Sequence, residues 1–178
     1  MLKVQNREMR QKERNTLNQT QEPHRQDGFI TAIAFGGFLI ILGLIFSLTP
    51  DLWQKITYFF NSISTATVPF GSSTSNLVLS APSDPSAHNA LYTAVLQFDV
   101  AFGVLQVFIL GLRVWVHSRT RRIAETLGHA VFWLGAAVLV NMFLLTGTLS
   151  GWFEYWAALI ILVGVSFIAR AIVHFAKK

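Results

Sequence analysis

Tyr92, Asp99, Gln106 and Arg113 stand seven residues apart within "LYTAVLQFDVAFGVLQVFILGLRVW", a stretch that is otherwise almost wholly apolar. On a helix that spacing keeps all four on one face, so they form a polar stripe. A carboxyl group in such a setting has two uses. It ties helices together by hydrogen bonding, with Arg113 snorkelling to the membrane surface, or it holds and passes a proton or cation along a path through a bundle. A charge facing lipid costs at least ~2.5 kcal/mol at mid-bilayer, so the stripe is expected to face inward and to find partners. Counted at ~1.5 Å per residue from a boundary near Tyr92, Asp99 lies roughly 10 Å deep and Gln106 about 21 Å deep. Counted from Leu149, Asn141 falls at roughly 12 Å, and counted from Trp152, Ser166 falls at about 21 Å. Asp99 with Asn141, and Gln106 with Ser166, are therefore the expected polar layers.

Other chemistry finds little support. His24, His117, His129 and His174 lie near helix ends on one side, but no two have ligand spacing such as HxxxH and no carboxylate cluster accompanies them. No metal site and no cofactor are expected. There is no GxSxG, no Ser and Lys dyad on an evident span and no pair of intramembrane aspartates, so no catalytic residue is assigned and an enzyme is not expected.

The elements that must position the stripe are membrane spans. Apolar residues make up 52% of the 178 and charged residues only 13%, a balance that points away from a soluble domain. Four stretches reach the roughly 20 residues that cross a bilayer: 29–48, 92–115, 129–149 and 152–175. A cleaved signal peptide is not expected, because a long polar segment precedes the first span. Cysteine is absent, which rules out disulfides and thiolate metal sites. The expected fold class is all-α, an integral membrane bundle of four transmembrane helices.

Orientation follows from Lys and Arg, which are retained on the cytoplasmic side. Lys3, Arg7, Arg10, Lys12, Arg14 and Arg25 precede the first span. Arg113, Arg119, Arg121 and Arg122 lie around the second connection, and Arg170, Lys177 and Lys178 close the chain; only Lys55 falls on the other side. Both termini are thus expected in the cytoplasm. The net charge of +5 is then a topology signal, with attraction to anionic headgroups secondary and no nucleic-acid partner implied.

Residues 1–27 form a polar basic tail too poor in apolar groups to fold alone, expected to be disordered or a frayed surface helix. Residues 28–176 form the transmembrane domain, with 49–90 as an external loop. That loop opens with "TPDLWQKITYFFNSI", where Thr49 suits a cap, Pro50 the first helical position and Asp51 the first turn. Leu52, Ile56, Phe59 and Ile63 recur at helical spacing, so a short amphipathic helix on the outer leaflet, or a prolongation of the first span, is expected. The remainder is rich in Ser, Thr and Pro, hence irregular, with "NLVLS" extended. Helices in lipid associate where small residues let backbones approach. Ala32, Gly36, Gly43 and Ser47 share a face of the first span; Gly128 and Gly135, Ala130 and Ala137, and Ala157, Gly164 and Ala171 repeat at seven on the later ones. Gly36, Gly43, Gly135 and Gly164 are the expected helix-packing positions.

The segments "FGGFLIILGLIFSLTPDLWQKITYFF", "LQFDVAFGVLQVFILGLR" and "WFEYWAALIILVGVSFIARAI" resemble a group of uncharacterised small multi-pass archaeal membrane proteins. The resemblance covers about 29–172 and not the tail. It implies an archaeal plasma membrane and supplies no catalytic residue. The expectation is a non-enzymatic structural or accessory subunit, lying in the lipid bilayer and acting through helix packing in a homo-oligomer or larger membrane complex. The alternative is a small proton or cation channel or transporter that uses Asp99 and the Gln106/Arg113 stripe.

Overall fold

A computed structural model of the chain describes residues 2–69, 76–116, 118 and 120–175, with side chains for 10–12, 28–67, 78–116, 118, 120–173 and 175. In chain order the elements are helix α1 (Leu2–Leu48), helix α2 (Leu52–Asn61), strands β1 (Ile63–Pro69) and β2 (Asn76–Pro82), a 3-10 turn (Pro85–His88), helix α3 (Asn89–Trp115), helix α4 (Thr120–Leu139) continued by a π-helical turn (Val140–Leu144), and helix α5 (Leu149–Phe175). Four of these helical stretches are long and apolar enough to span a bilayer: Gly28–Leu48, Pro85–Trp115, Thr120–Leu144 and Leu149–Val173. The all-α bundle is therefore observed.

The backbone of the polar tail is helical and continuous with the first span. The chain then breaks before α2 begins at Leu52. Its N-cap is Asp51, which takes a left-handed conformation at φ 55 and makes no side-chain cap, so neither Thr49 nor Pro50 opens the helix. The reversed backbone turns α2 away from α1 and makes it a separate amphipathic element, with Leu52 buried. Ile45 of α1, Leu52 and Ala94 of α3 form a small apolar core that fixes α2 against both spans.

The segment expected to be irregular is instead an antiparallel hairpin, with Ile63 paired to Pro82 and Ala66 to Leu79. The β-branched residues of "ISTATV" favour the pleated conformation, and "NLVLS" supplies the second strand. The Trp152 indole of α5 donates to the Ser80 carbonyl at 3.3 Å, so the hairpin is tied to the N-terminal end of the last span.

The third span begins nine residues before the expected 129, at Thr120, because "TRRIAETL" is made of good helix formers and its Arg121 and Glu125 pair one turn apart at 3.0 Å. Charges end an apolar run without ending a helix. It also stops short of the expected 149. Gly147, at φ 64, turns the chain where a Cβ would stand 3.0 Å from Ser86 Cα, and Thr148 Oγ1 accepts from the Gly151 amide to start α5. The bundle centre lies where α3 packs against α1 on one side and α4 on the other. There Phe38 and Trp133 each meet the stacked pair Phe98 and Phe102 edge to face, with the Phe102 and Trp133 centroids 4.8 Å apart.

Candidate functional site: a polar column on the second span

The stripe on α3 faces the bundle interior in its N-terminal half. Tyr92 and Asp99 are 3% and 4% exposed, and Gln106 and Arg113 are half-buried. Tyr92 packs with Val140 and Leu144 of the π-helical turn, and Phe59, Trp152 and Tyr155 close around them. The π turn, closed by the Leu145 amide donating to the Val140 carbonyl at 3.1 Å, widens α4 where it meets Tyr92. Tyr155 of α5 lies within electrostatic reach of Asp99. The Tyr92 hydroxyl is buried, and among the described residues it has no hydrogen-bond partner.

The expected partner of Asp99 must be corrected. Asn141 is exposed, and among the described residues no hydrogen bond joins it to Asp99. Two causes combine. Val140 is fully buried, so Asn141, about 100° further round the helix, points outward. The third span also ends at Leu144, which leaves Asn141 within about one turn of its outer end, while Asp99 lies roughly 15 Å below Asn89. In the second expected layer, Gln106 and Ser166 each lie about 25 Å along their helices from Asn89 and Leu149. Ser166 is buried, but its hydroxyl donates to the Val163 carbonyl of its own helix at 2.8 Å, and no hydrogen bond reaches Gln106 among the described residues. Arg113 does not join the buried polar groups above it. Its guanidinium donates to the Arg122 carbonyl at 2.9 Å and so clasps the start of the third span.

The packing glycines divide. A methyl group on Gly135 would meet Leu162 of α5, with Cδ2 at 3.0 Å. At Gly36, Gly43 and Gly164 it would meet nothing within 4 Å, so these three do not hold this bundle together. Leu162 and Ser166 set the inward face of α5, and Gly164 lies about 200° round from each. Close contacts occur instead at positions the spacing did not single out. The added methyl would lie 2.6 Å from Leu134 Cδ2 at Gly103 and 2.8 Å from Leu105 Cδ1 at Gly37.

Sequence reasoning also missed His88, although it precedes Tyr92 by one helical turn and so extends the same stripe outward. It is 3% exposed, its Nε2 lies 2.8 Å from Ser62 Oγ, and Phe59 and Tyr92 surround its ring. Just before it, Asp84 caps the 3-10 turn by accepting from the Ser86 amide at 3.1 Å and hydroxyl at 2.6 Å. Those bonds, led by the hydroxyl, hold the Asp84 carboxyl below its ordinary value of 3.8. Of the four histidines weighed as metal ligands, the side chains of His24, His117 and His174 lie outside the described residues; among those described, no three His, Asp or Glu side chains group as a metal site.

Four apolar spans with a buried polar column between them define an integral membrane protein. Comparison with protein families, with curated proteins and with solved structures finds no match.

Proposed function

We propose that this protein is a non-enzymatic membrane subunit that associates, through seams of small residues on α1 and α5, with a second copy or with another membrane protein. The observation that carries this reading is the outward placement of Gly43 and Gly164, each with no heavy atom within 4 Å of a would-be methyl. Glycine inside a helix costs roughly 0.5–1 kcal/mol relative to alanine, and among the described residues no contact offsets that cost. In lipid, small residues on an outer face let a neighbouring helix approach closely. Ala32 and Ser47 continue the α1 seam, and Ala157 and Ala171 the α5 seam, all of them exposed. The Lys and Arg asymmetry supports an orientation with both termini in the cytoplasm. Counting of labelled chains by stepwise photobleaching in native-membrane nanodiscs, with identification of any copurifying protein, tests the proposal. Gly43→Leu and Gly164→Leu should reduce association while helicity and thermal stability hold. Association indifferent to both substitutions would sink it.

Burial of His88, Tyr92 and Asp99 on one face of α3 favours a second reading, transfer of protons or a cation. Tyr92 and Asp99 are separated by about 10 Å of helix, with apolar Val95 and Leu96 in the cluster between them, so the described groups form no continuous relay. The packing reading is therefore preferred. Proton flux into liposomes that disappears in Asp99→Asn, with the bundle intact, would reverse that preference.

A further inference from the structure

We propose that the cleft between α4 and α5, at the arginine-bearing end of the bundle, binds the headgroup of an anionic phospholipid, with Arg170 contacting the phosphate and an acyl chain lying along α5. The cleft has a volume of about 430 Å³ and is lined by Arg121, Ala124, Glu125, Arg170, Ala171 and Phe175. Both helices contribute charged side chains to this lining, and Ala124, Ala171 and Phe175 make the rest apolar, which matches an amphiphile rather than a free ion. Glu125 is the acid in that lining, and it is spent on Arg121, whose Nε donates to Glu125 Oε1 at 3.0 Å. Arg170 therefore supplies the uncompensated charge. Among the described residues no carboxylate pairs with it, and its Nε is buried without a hydrogen-bond partner. Among the described residues His129 and Arg113 also face this region, and they bring no further anion.

Position agrees with charge. At about 1.5 Å per residue Arg170 lies roughly 31 Å along α5 from Leu149, the thickness of a hydrocarbon core, and so stands at headgroup level. Its stem crosses Gly128 of α4, where the absence of a side chain leaves a groove that fixes its direction. Its guanidinium carbon lies 5.3 Å from the centroid of the Phe167 ring, on the outward surface of α5. A phosphate diester offers the planar guanidinium several acceptor oxygens at once. A zwitterionic lipid would bring its own cation towards Arg170 and Arg121. The site shares Ala171 with the α5 seam, but its test reads lipid retention and does not depend on the subunit assignment above.

The test is native mass spectrometry of the full chain released from nanodiscs containing dioleoylphosphatidylglycerol and dioleoylphosphatidylcholine in equal amounts. The wild-type chain should retain the anionic lipid in preference. Arg170→Gln should lower that retention about fivefold, the ordinary effect of one basic residue at a membrane surface. Gly128→Ala keeps every charge but displaces the flexible Arg170 side chain from its groove, so it should lower retention as well. Lys55→Gln, on α2 beyond the far end of the spans, should change nothing. Equal retention of the two lipids, or unaltered retention in folded Arg170→Gln and Gly128→Ala, would overturn the assignment. Displacement of the lipid by millimolar inorganic phosphate would identify an ion site instead and defeat the lipid proposal.

Discussion

Replacing Gly103 by alanine tests the account of how the column is held. Gly103 lies one turn below Asp99 on α3, and an added methyl would stand 2.6 Å and 2.8 Å from the Leu134 side chain and 3.3 Å from the Leu134 backbone nitrogen. The side chain could move aside, but the nitrogen belongs to α4 itself, so relief requires the two helices to separate. Overpacking of this kind costs about 1–3 kcal/mol. Alanine also favours a helix over glycine by roughly 0.5–1 kcal/mol, which would blur a single measurement. Gly36→Ala supplies the control, since the same helical gain occurs where nothing lies within 4 Å. The difference between the two variants isolates the clash. For a chain of this size about 1 kcal/mol shifts Tm by roughly 2–4 °C, so Gly103→Ala should melt about 2–12 °C below Gly36→Ala. Circular dichroism melts in one detergent provide the comparison. Equal melting temperatures would refute the claim that α3 and α4 meet backbone to side chain at Gly103, and with it the inward placement of the Asp99 face.

Ser62→Ala leaves buried His88 Nε2 without its partner at 2.8 Å and should cost about 1–3 kcal/mol; a stability equal to wild type in denaturant melts would show that the bond carries nothing. Asp84 has a depressed folded-state value, so its contribution to the 3-10 turn is present above pH 3.8 and lost as pH falls through the lower folded value. The Ser86 amide shift in NMR spectra should titrate below 3.8, and a midpoint at or above it contradicts the capping role. Trp152→Phe removes the donor to the Ser80 carbonyl and should speed hydrogen exchange across β2, whereas unchanged exchange would mean the hairpin stands without α5. Cysteine introduced at Thr65 should react with an impermeant reagent outside intact cells and cysteine at Ser118 should not; the reverse pattern inverts the proposed orientation.

The number of spans and the inward face of Tyr92 and Asp99 were legible in the sequence because both follow from local quantities, apolar run length and helical periodicity. So was α2, through the spacing of Leu52, Ile56 and Phe59. Other features depended on signals of weaker kind. The hairpin was obscured because Ser, Thr and Pro suit strands and loops alike, and strand pairing is settled by the partner strand. The end of the third span was written in "TGT", where the apolar run stops after Leu145 and Gly147 turns the chain. His88 was within reach of the same periodicity that found Tyr92.

What periodicity cannot supply is phase. A repeat of seven says that Gly36 and Gly43, or Ala157, Gly164 and Ala171, share a face; it does not say which way that face looks. Tertiary packing decides that, because Leu162 and Ser166 fill the inward face of α5 and leave Gly164 outside, while Gly103 and Gly37 receive the neighbouring leucines. Depth behaves in the same way. The sequence alone fixed that Asp99 must turn away from lipid, since the cost of an exposed charge is a property of the residue and its solvent. Which groups stand opposite it was decided only by where α4 stops and by the π turn that packs Val140 and Leu144 on Tyr92, and those positions set Tyr155 near the aspartate and Asn141 outside.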